Sequence, residues 1–113
     1  MHELSLALNT IDTVTKLATA KHATRITTIT LRIGELSCIE EGALRVGLEV
    51  AARDTIANRA KVIIKTIESS ATCLDCGCEF RAQNYVQQCP NCNGLSVELN
   101  SGNEMEIEHM EVI

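Results

Sequence analysis

Aromatic side chains are almost missing from this sequence. Phe80 and Tyr85 are the whole complement, there is no tryptophan, and the class makes up 2% of 113 residues. A core must therefore be aliphatic, and the 45% hydrophobic content allows one. Two rings are also too few for the stacking platform that holds single-stranded nucleic acid. Basic residues are short as well: ten Lys and Arg against fifteen Asp and Glu leave a formal charge of −5. That balance suits nucleic-acid phosphate poorly. No apolar run approaches the ~20 residues of a membrane span, and Glu3 stands where a secretory leader needs basic residues. A soluble, cytoplasmic protein is expected, with neither membrane nor nucleic acid among its partners. Repeats and low-complexity linkers are absent, so the length suits one core with a small satellite.

What the chain does have is cysteine, six in all. In a chain expected to stay in a reducing compartment they point to metal or redox use rather than a disulfide framework. Four form two knuckles, Cys73-Leu74-Asp75-Cys76 and Cys89-Pro90-Asn91-Cys92, twelve residues apart. Each tight turn can aim two thiolates at one point, and four thiolates at tetrahedral corners suit Zn²⁺. Such a closed shell is structural, because no position is left for water or substrate. A rubredoxin-like iron site would use the same ligands. A dithiol redox pair fits less well, since it needs one Cys-x-x-Cys at a helix N-terminus. Cys78 is expected to be a non-ligand, because a fifth thiolate cannot join a tetrahedral shell. Cys38 is expected to be a small buried hydrophobe after a strand. Between Cys73 and Asn100 the only basic residue is Arg81, against Asp75, Glu79 and Glu98, which argues against a nucleic-acid ribbon.

Hydrophobic periodicity places the rest. Leu4, Leu8, Ile11, Leu17 and Ala18 recur at helical spacing, which predicts a helix over 4–21 with Lys16 and Lys21 complementing its dipole. Ile29, Leu31 and Ile33 alternate with Thr28, Thr30 and Arg32 as in a half-buried strand ended by Gly34. A second helix is predicted over 40–52, with Leu44, Leu48 and Ala51 inward and Glu40 and Glu41 in its first turn. Val62, Ile63, Ile64 and Ile67 make a second strand, and strand–helix–strand in this order predicts a parallel pair. Leu95, Val97 and Leu99 alternate again. Met105 and Ile107 begin a final strand whose parity changes by Met110, which predicts a bulge near Glu108 or a change of the buried face. The expected fold is α+β: a small mixed β-sheet with two helices on one face, plus an inserted zinc-ribbon-like domain. Domain boundaries are expected at 1–70, completed by 104–113, and at 71–103.

The opening Met1-His2-Glu3 reads most simply as a frayed start with an incidental histidine. Its chemistry allows more. A terminal amine, the His2 amide nitrogen and imidazole Nδ1 can chelate one metal in fused rings, and the Glu3 amide nitrogen can complete a square. Nitrogen-rich square-planar coordination favours Ni²⁺ or Cu²⁺ over zinc. His22 and His109 invite no such reading: His22 ends the first helix, and His109 sits on the last strand as a surface residue.

Met1-His2-Glu3-Leu4-Ser5-Leu6, Arg32-Ile33-Gly34-Glu35-Leu36-Ser37, the paired knuckles and Met110-Glu111-Val112 together resemble the HypA/HybF family of hydrogenase maturation nickel metallochaperones. The resemblance covers the chain in order, with departures at Cys38, Cys78 and Val46-Gly47-Leu48. It implies a carrier rather than an enzyme, binding Ni²⁺ at Met1, His2 and Glu3 and structural Zn²⁺ at Cys73, Cys76, Cys89 and Cys92. It implies delivery of nickel to the [NiFe] hydrogenase large-subunit precursor, a HypB-type GTPase as accessory partner, and in some members a link to urease maturation proteins. The competing reading is a zinc-ribbon module that docks protein or nucleic acid and has no nickel role. A redox protein using Cys76, Cys78 or Cys38 ranks third.

Overall fold

The computed structural model describes residues 2–82 and 88–113; Met1 and Tyr85 lie outside that set. In chain order the elements are α1 (His2–Ala20), β1 (Ile26–Gly34), α2 (Glu41–Ala52), β2 (Lys61–Ile67), β3 (Ser70–Cys73), β4 (Glu79–Phe80), β5 (Val97–Ser101) and β6 (Met105–Val112). The strands form two three-stranded sheets, ordered β2-β1-β6 and β4-β3-β5. The second sheet is thus inserted between the second and last strands of the first. Two compact units result: the chain as far as Leu31 with Ile39–Ile64 and Ile107–Ile113, and Arg32–Cys38 with Lys65–Glu106. Among the described residues no helix is long and apolar enough to cross a membrane.

The first sheet is mixed, as expected. The Ile26 N–H donates to Ile56 O and the Glu35 N–H to Ile67 O, both at 2.9 Å. Strands β1 and β2 therefore start and finish at the same ends. The Thr24 N–H donates to Ile113 O at 2.7 Å and the Gly34 N–H to Glu104 O at 2.8 Å, so β6 runs antiparallel to β1. Ile29, Leu31 and Ile33 are buried. In β6 the half-buried residues are Met105, Ile107 and Met110, so the parity of burial changes after Ile107.

In the first unit α1 differs from expectation in which stripe it buries. Ala7, Thr10, Ile11, Val14 and Ala18 face inward, whereas Leu4, Leu8 and Leu17 are 38%, 54% and 51% exposed. The reason is the close approach of α2. A Cβ placed on Gly47 would lie 3.1 Å from the Ala7 Cβ, which selects small residues at the seam and leaves the leucines on its flanks. On α2 the buried stripe is Leu44, Leu48 and Ala52; Ala51, expected inward, is only half-buried. Full burial of Leu44 or Leu48 is worth roughly 1.5–3 kcal/mol each.

The helix ends are set by local chemistry. Glu40 caps α2, its carboxylate accepting the N–H groups of Gly42 at 3.1 Å and Ala43 at 2.5 Å. His22 adopts φ 62°. Its N–H donates to Thr19 O and the Ala23 N–H to Ala18 O, both at 3.0 Å, the pattern of a Schellman cap. His22 thus closes α1 through its backbone. The last turn of α1 holds no basic residue; Lys16, expected to complement the dipole, pairs instead with Asp12 at 2.9 Å. Cys38 departs further from expectation: it is exposed and left-handed, with φ 59°, in the turn before α2.

Candidate metal centres

Strand β3 is the spine of the second sheet. It pairs antiparallel with β4 through Ala71↔Phe80 and Thr72↔Glu79, and with β5 through Ala71↔Leu99, Thr72↔Glu98 and Cys73↔Val97. The alternation of β3 turns Ala71 and Cys73 inward. Cys73 is therefore both the last strand residue and the first thiol of a knuckle.

The two knuckles share one hydrogen-bonding plan. The Cys73 N–H donates to Cys78 O at 2.8 Å and the Gly77 N–H to Cys73 O at 2.8 Å. In the second knuckle the Cys89 N–H donates to Gly94 O and the Asn93 N–H to Cys89 O, both at 2.9 Å. The fourth residue after each leading cysteine, Gly77 or Asn93, takes the left-handed conformation, with φ 77° and 62°. Glycine and asparagine are the residues that accept it most readily. The equal offset and these residue types are a signal that the Cys-x-x-Cys spacing alone does not convey.

This plan brings Cys73, Cys76, Cys89 and Cys92 together, with all four Sγ atoms within 4.8 Å of one another. Cys73 Sγ lies 3.6 Å from Cys92 Sγ, and Cys76 Sγ lies 3.5 Å from Cys89 Sγ. Four sulfurs about 2.3 Å from one zinc would be about 3.8 Å apart, so the donor set fits a tetrahedral thiolate metal. Cys73 and Cys89 are buried while Cys76 and Cys92 are exposed. The sulfurs are already supplied with donors. Cys89 Sγ accepts the N–H groups of Asn91 at 3.4 Å and Cys92 at 3.5 Å, and Cys76 Sγ accepts the Asn91 amide at 3.6 Å. Asn91 was not singled out from sequence, and nothing in the spacing marks it.

Electrostatics point the same way. The Cys78 backbone N–H, then the Asn91 amide and the Cys89 thiol, pull the Cys76 thiol down to about 6, close to thiolate at neutral pH. Cys92 is pushed up to about 12: a hydrogen bond at Gly94 lowers it, but the Cys73 and Cys76 thiols outweigh that. Four packed sulfurs cannot all ionise without a cation, and a divalent one would hold them all as thiolates. Cys78 stays outside the cluster, its thiol directed to Glu79 O at 3.6 Å and raised by burial.

A second polar hub lies in the same unit. The Glu35 carboxylate accepts from the Ser69 N–H at 2.8 Å, the Ser69 hydroxyl at 2.7 Å, Arg81 Nε at 3.0 Å and Arg81 Nη2 at 2.5 Å. The Ser69 hydroxyl also lies against the Ala82 carbonyl oxygen, and Arg81 reaches Glu68 at 3.2 Å. The Arg81 hydrogen bonds, followed by those of Ser69, hold the Glu35 carboxyl at about 2. Glu35 thus fastens the end of β1 to the residues entering β3. Sequence periodicity could not have paired Glu35 with Arg81, 46 residues away.

At the other end, His2 begins α1 and is exposed, and Glu3 is half-buried. The first four N–H groups of an α-helix have no intrahelical acceptor, so the His2 and Glu3 amides are not consumed by α1. The Met1 amine lies outside the described residues. His109 is placed as expected, its Nε2 3.4 Å from the Thr30 hydroxyl on the sheet.

Fold and site together define a small α+β metal-binding protein with a four-cysteine centre. The HypA family model, described as hydrogenase/urease nickel incorporation, metallochaperone, matches residues 1–112. A hydrogenase maturation factor HypA of Chlorobium luteolum is 38% identical over 108 residues, covering 96% of this chain and 92% of the relative. Hydrogenase maturation factor HybF of Salmonella typhimurium is 31% identical over 112 residues, 99% of each chain. The solution structure of the Ni metallochaperone HypA from Helicobacter pylori shares the fold, with a TM-score of 0.72 at 22% identity over 98% of this chain and 97% of that one. The chain belongs to the HypA family, which is one of nickel metallochaperones rather than enzymes.

Proposed function

We propose that this chain binds Ni²⁺ through Met1, His2 and Glu3 and delivers it in the cytoplasm to the large-subunit precursor of [NiFe] hydrogenase. Residues 1–70 with 104–113 serve as the nickel-binding domain. Residues 71–103 form the zinc-binding domain, with Zn²⁺ held by Cys73, Cys76, Cys89 and Cys92. A HypB-type GTPase is the accessory partner, and the family description extends the candidate clients to urease maturation.

The observation that carries this reading is the exposure of His2 at the first turn of α1, beside amides the helix does not use. A carrier needs donors that can be withdrawn one at a time, and the exposed His2 side chain meets that need. Coordination by amide nitrogen requires its deprotonation, so nickel affinity falls as pH drops. Glu3 serves to orient His2 or to offer a nearby oxygen; Glu3→Gln then keeps nickel affinity and slows transfer.

The test is a Ni²⁺ titration of zinc-loaded, untagged protein, of protein with two residues added before Met1, and of His2→Ala. One nickel site is expected in the first and none in the others. Equal binding in all three refutes the carrier reading and returns the chain to the zinc-ribbon docking alternative.

A further inference from the structure

The first unit contains a cleft that metal binding does not use. It has a volume of about 600 Å³ and lies between α2, residues 53–60 and the start of β2. That is within the ~300–1,000 Å³ range of ligand pockets. Its floor is aliphatic, made by Ile11, Ile29, Leu48 and Val62, and its rim carries Arg45, Arg53 and Arg59 with Glu49 as the single acid. Three of the six arginines of a chain with net charge −5 thus meet around one apolar hollow.

The rim is held in place by its backbone. The Thr55 hydroxyl donates to Ala52 O at 2.6 Å and accepts the Ala57 N–H at 3.1 Å. The Asn58 N–H donates to Thr55 O at 3.1 Å and the Ala60 N–H to Ala57 O at 3.0 Å. Arg25 Nη2 donates to Asn58 O at 2.7 Å. Arg59 itself is left-handed, with φ 63°, a conformation that costs a non-glycine residue stability. The guanidinium groups differ in what occupies them. Arg45 donates to Val62 O at 2.8 Å and pairs with Glu41 at 3.5 Å. Arg53 and Arg59 are exposed, and among the described residues their guanidinium groups have no partner.

We propose that this cleft docks an acidic peptide segment of a partner protein, with an apolar side chain on the aliphatic floor and carboxylates on Arg53 and Arg59. Guanidinium forks match carboxylates bidentately, which a lone ammonium cannot do. The apolar floor distinguishes such a segment from an inorganic anion, and the pre-ordered rim lowers the entropy cost of binding. The site is independent of nickel, so it stands or falls separately from the carrier reading.

The experiment uses zinc-loaded, nickel-free full-length protein and a short fluorescein-labelled peptide of alternating glutamate and leucine, followed by anisotropy. Binding is expected, with amide shift changes centred on residues 52–62. Replacing glutamate by glutamine in the peptide, or leucine by alanine, should each weaken binding at least about tenfold. Arg53→Gln with Arg59→Gln should do the same at unchanged melting temperature, and the double lysine variant should recover only part of the affinity. Absence of peptide binding overturns the proposal, as do shift changes elsewhere or equal affinity in the glutamine variant. Equal binding of the alanine peptide, or full displacement by sulfate at matched ionic strength, makes the cleft a small-anion site and overturns it too. If the double glutamine variant does not fold, shift mapping on the unaltered protein decides.

Discussion

The cysteine centre and the amino-terminal turn of α1, proposed above as the zinc and nickel sites, differ in how their donors are held. The four thiols come from two turns built on one plan, half of them are buried, and peptide and side-chain N–H groups already point at the sulfurs. His2 has none of this: it is exposed, at a helix start whose first amides are unclaimed. A shell with every position filled retains its ion. An exposed donor at a helix start can be exchanged for that of a recipient. On the proposed assignment, the motif most conspicuous in the sequence is the one with no part in transfer.

The largest effect should come from breaking the retained site. Structural zinc in small peptide sites is worth about 10–16 kcal/mol of apparent binding free energy, comparable with the stability of a whole domain. Cys89→Ser, or chelation of zinc from the unaltered protein, should abolish the dispersed amide signals of residues 70–82 and 88–101 while leaving most helical circular dichroism from α1 and α2. Loss of both together would show that the two regions are not separable. His2→Ala tests the other arm of the contrast. It should remove nickel binding while changing the unfolding free energy measured in urea by no more than about 0.5 kcal/mol, because an exposed side chain is lost.

Smaller changes sharpen the comparison. Gly47→Leu drives a side chain into Ala7 and the backbone of Glu3 and Leu4, and should cost about 1–3 kcal/mol in thermal unfolding. Gly47→Ala should be close to neutral, since contact at 3.1 Å offsets the ~1 kcal/mol gain in helix propensity. A large loss for alanine would mean the seam has no slack. Glu35 provides a pH test on the cysteine side. Its carboxyl sits near 2 in the folded chain against an ordinary 4.5, so its stabilising contribution is complete above pH 4.5 and vanishes as pH falls through 2. The difference in urea midpoint between the unaltered protein and Glu35→Gln should shrink over that interval. A constant difference down to pH 2 would remove Glu35 from the linkage.

Much of this molecule can be read from local pattern. Alternation of Ile29, Leu31 and Ile33 with threonines places β1, and the paired Cys-x-x-Cys places the thiols, because both depend on neighbours a few residues away. The inward face of α1 could not be read this way. Leu4 and Leu8 outrank Ala7 in hydrophobicity, yet Ala7 is buried because Gly47 lets α2 approach at that point. Cys38 misleads for a related reason: a hydrophobic side chain after a strand ends outside when the turn is left-handed.

By itself, then, the sequence determined the kinds of element, the thiol donor set and the resemblance of its opening residues, all of which are short-range in the chain. Tertiary structure alone decided which helix face is core, the pairing of Glu35 with Arg81, and the gathering of Arg45, Arg53 and Arg59 around one cleft. Those outcomes depend on distances between segments far apart in sequence. Such distances are settled only when the strands have paired and the helices have packed.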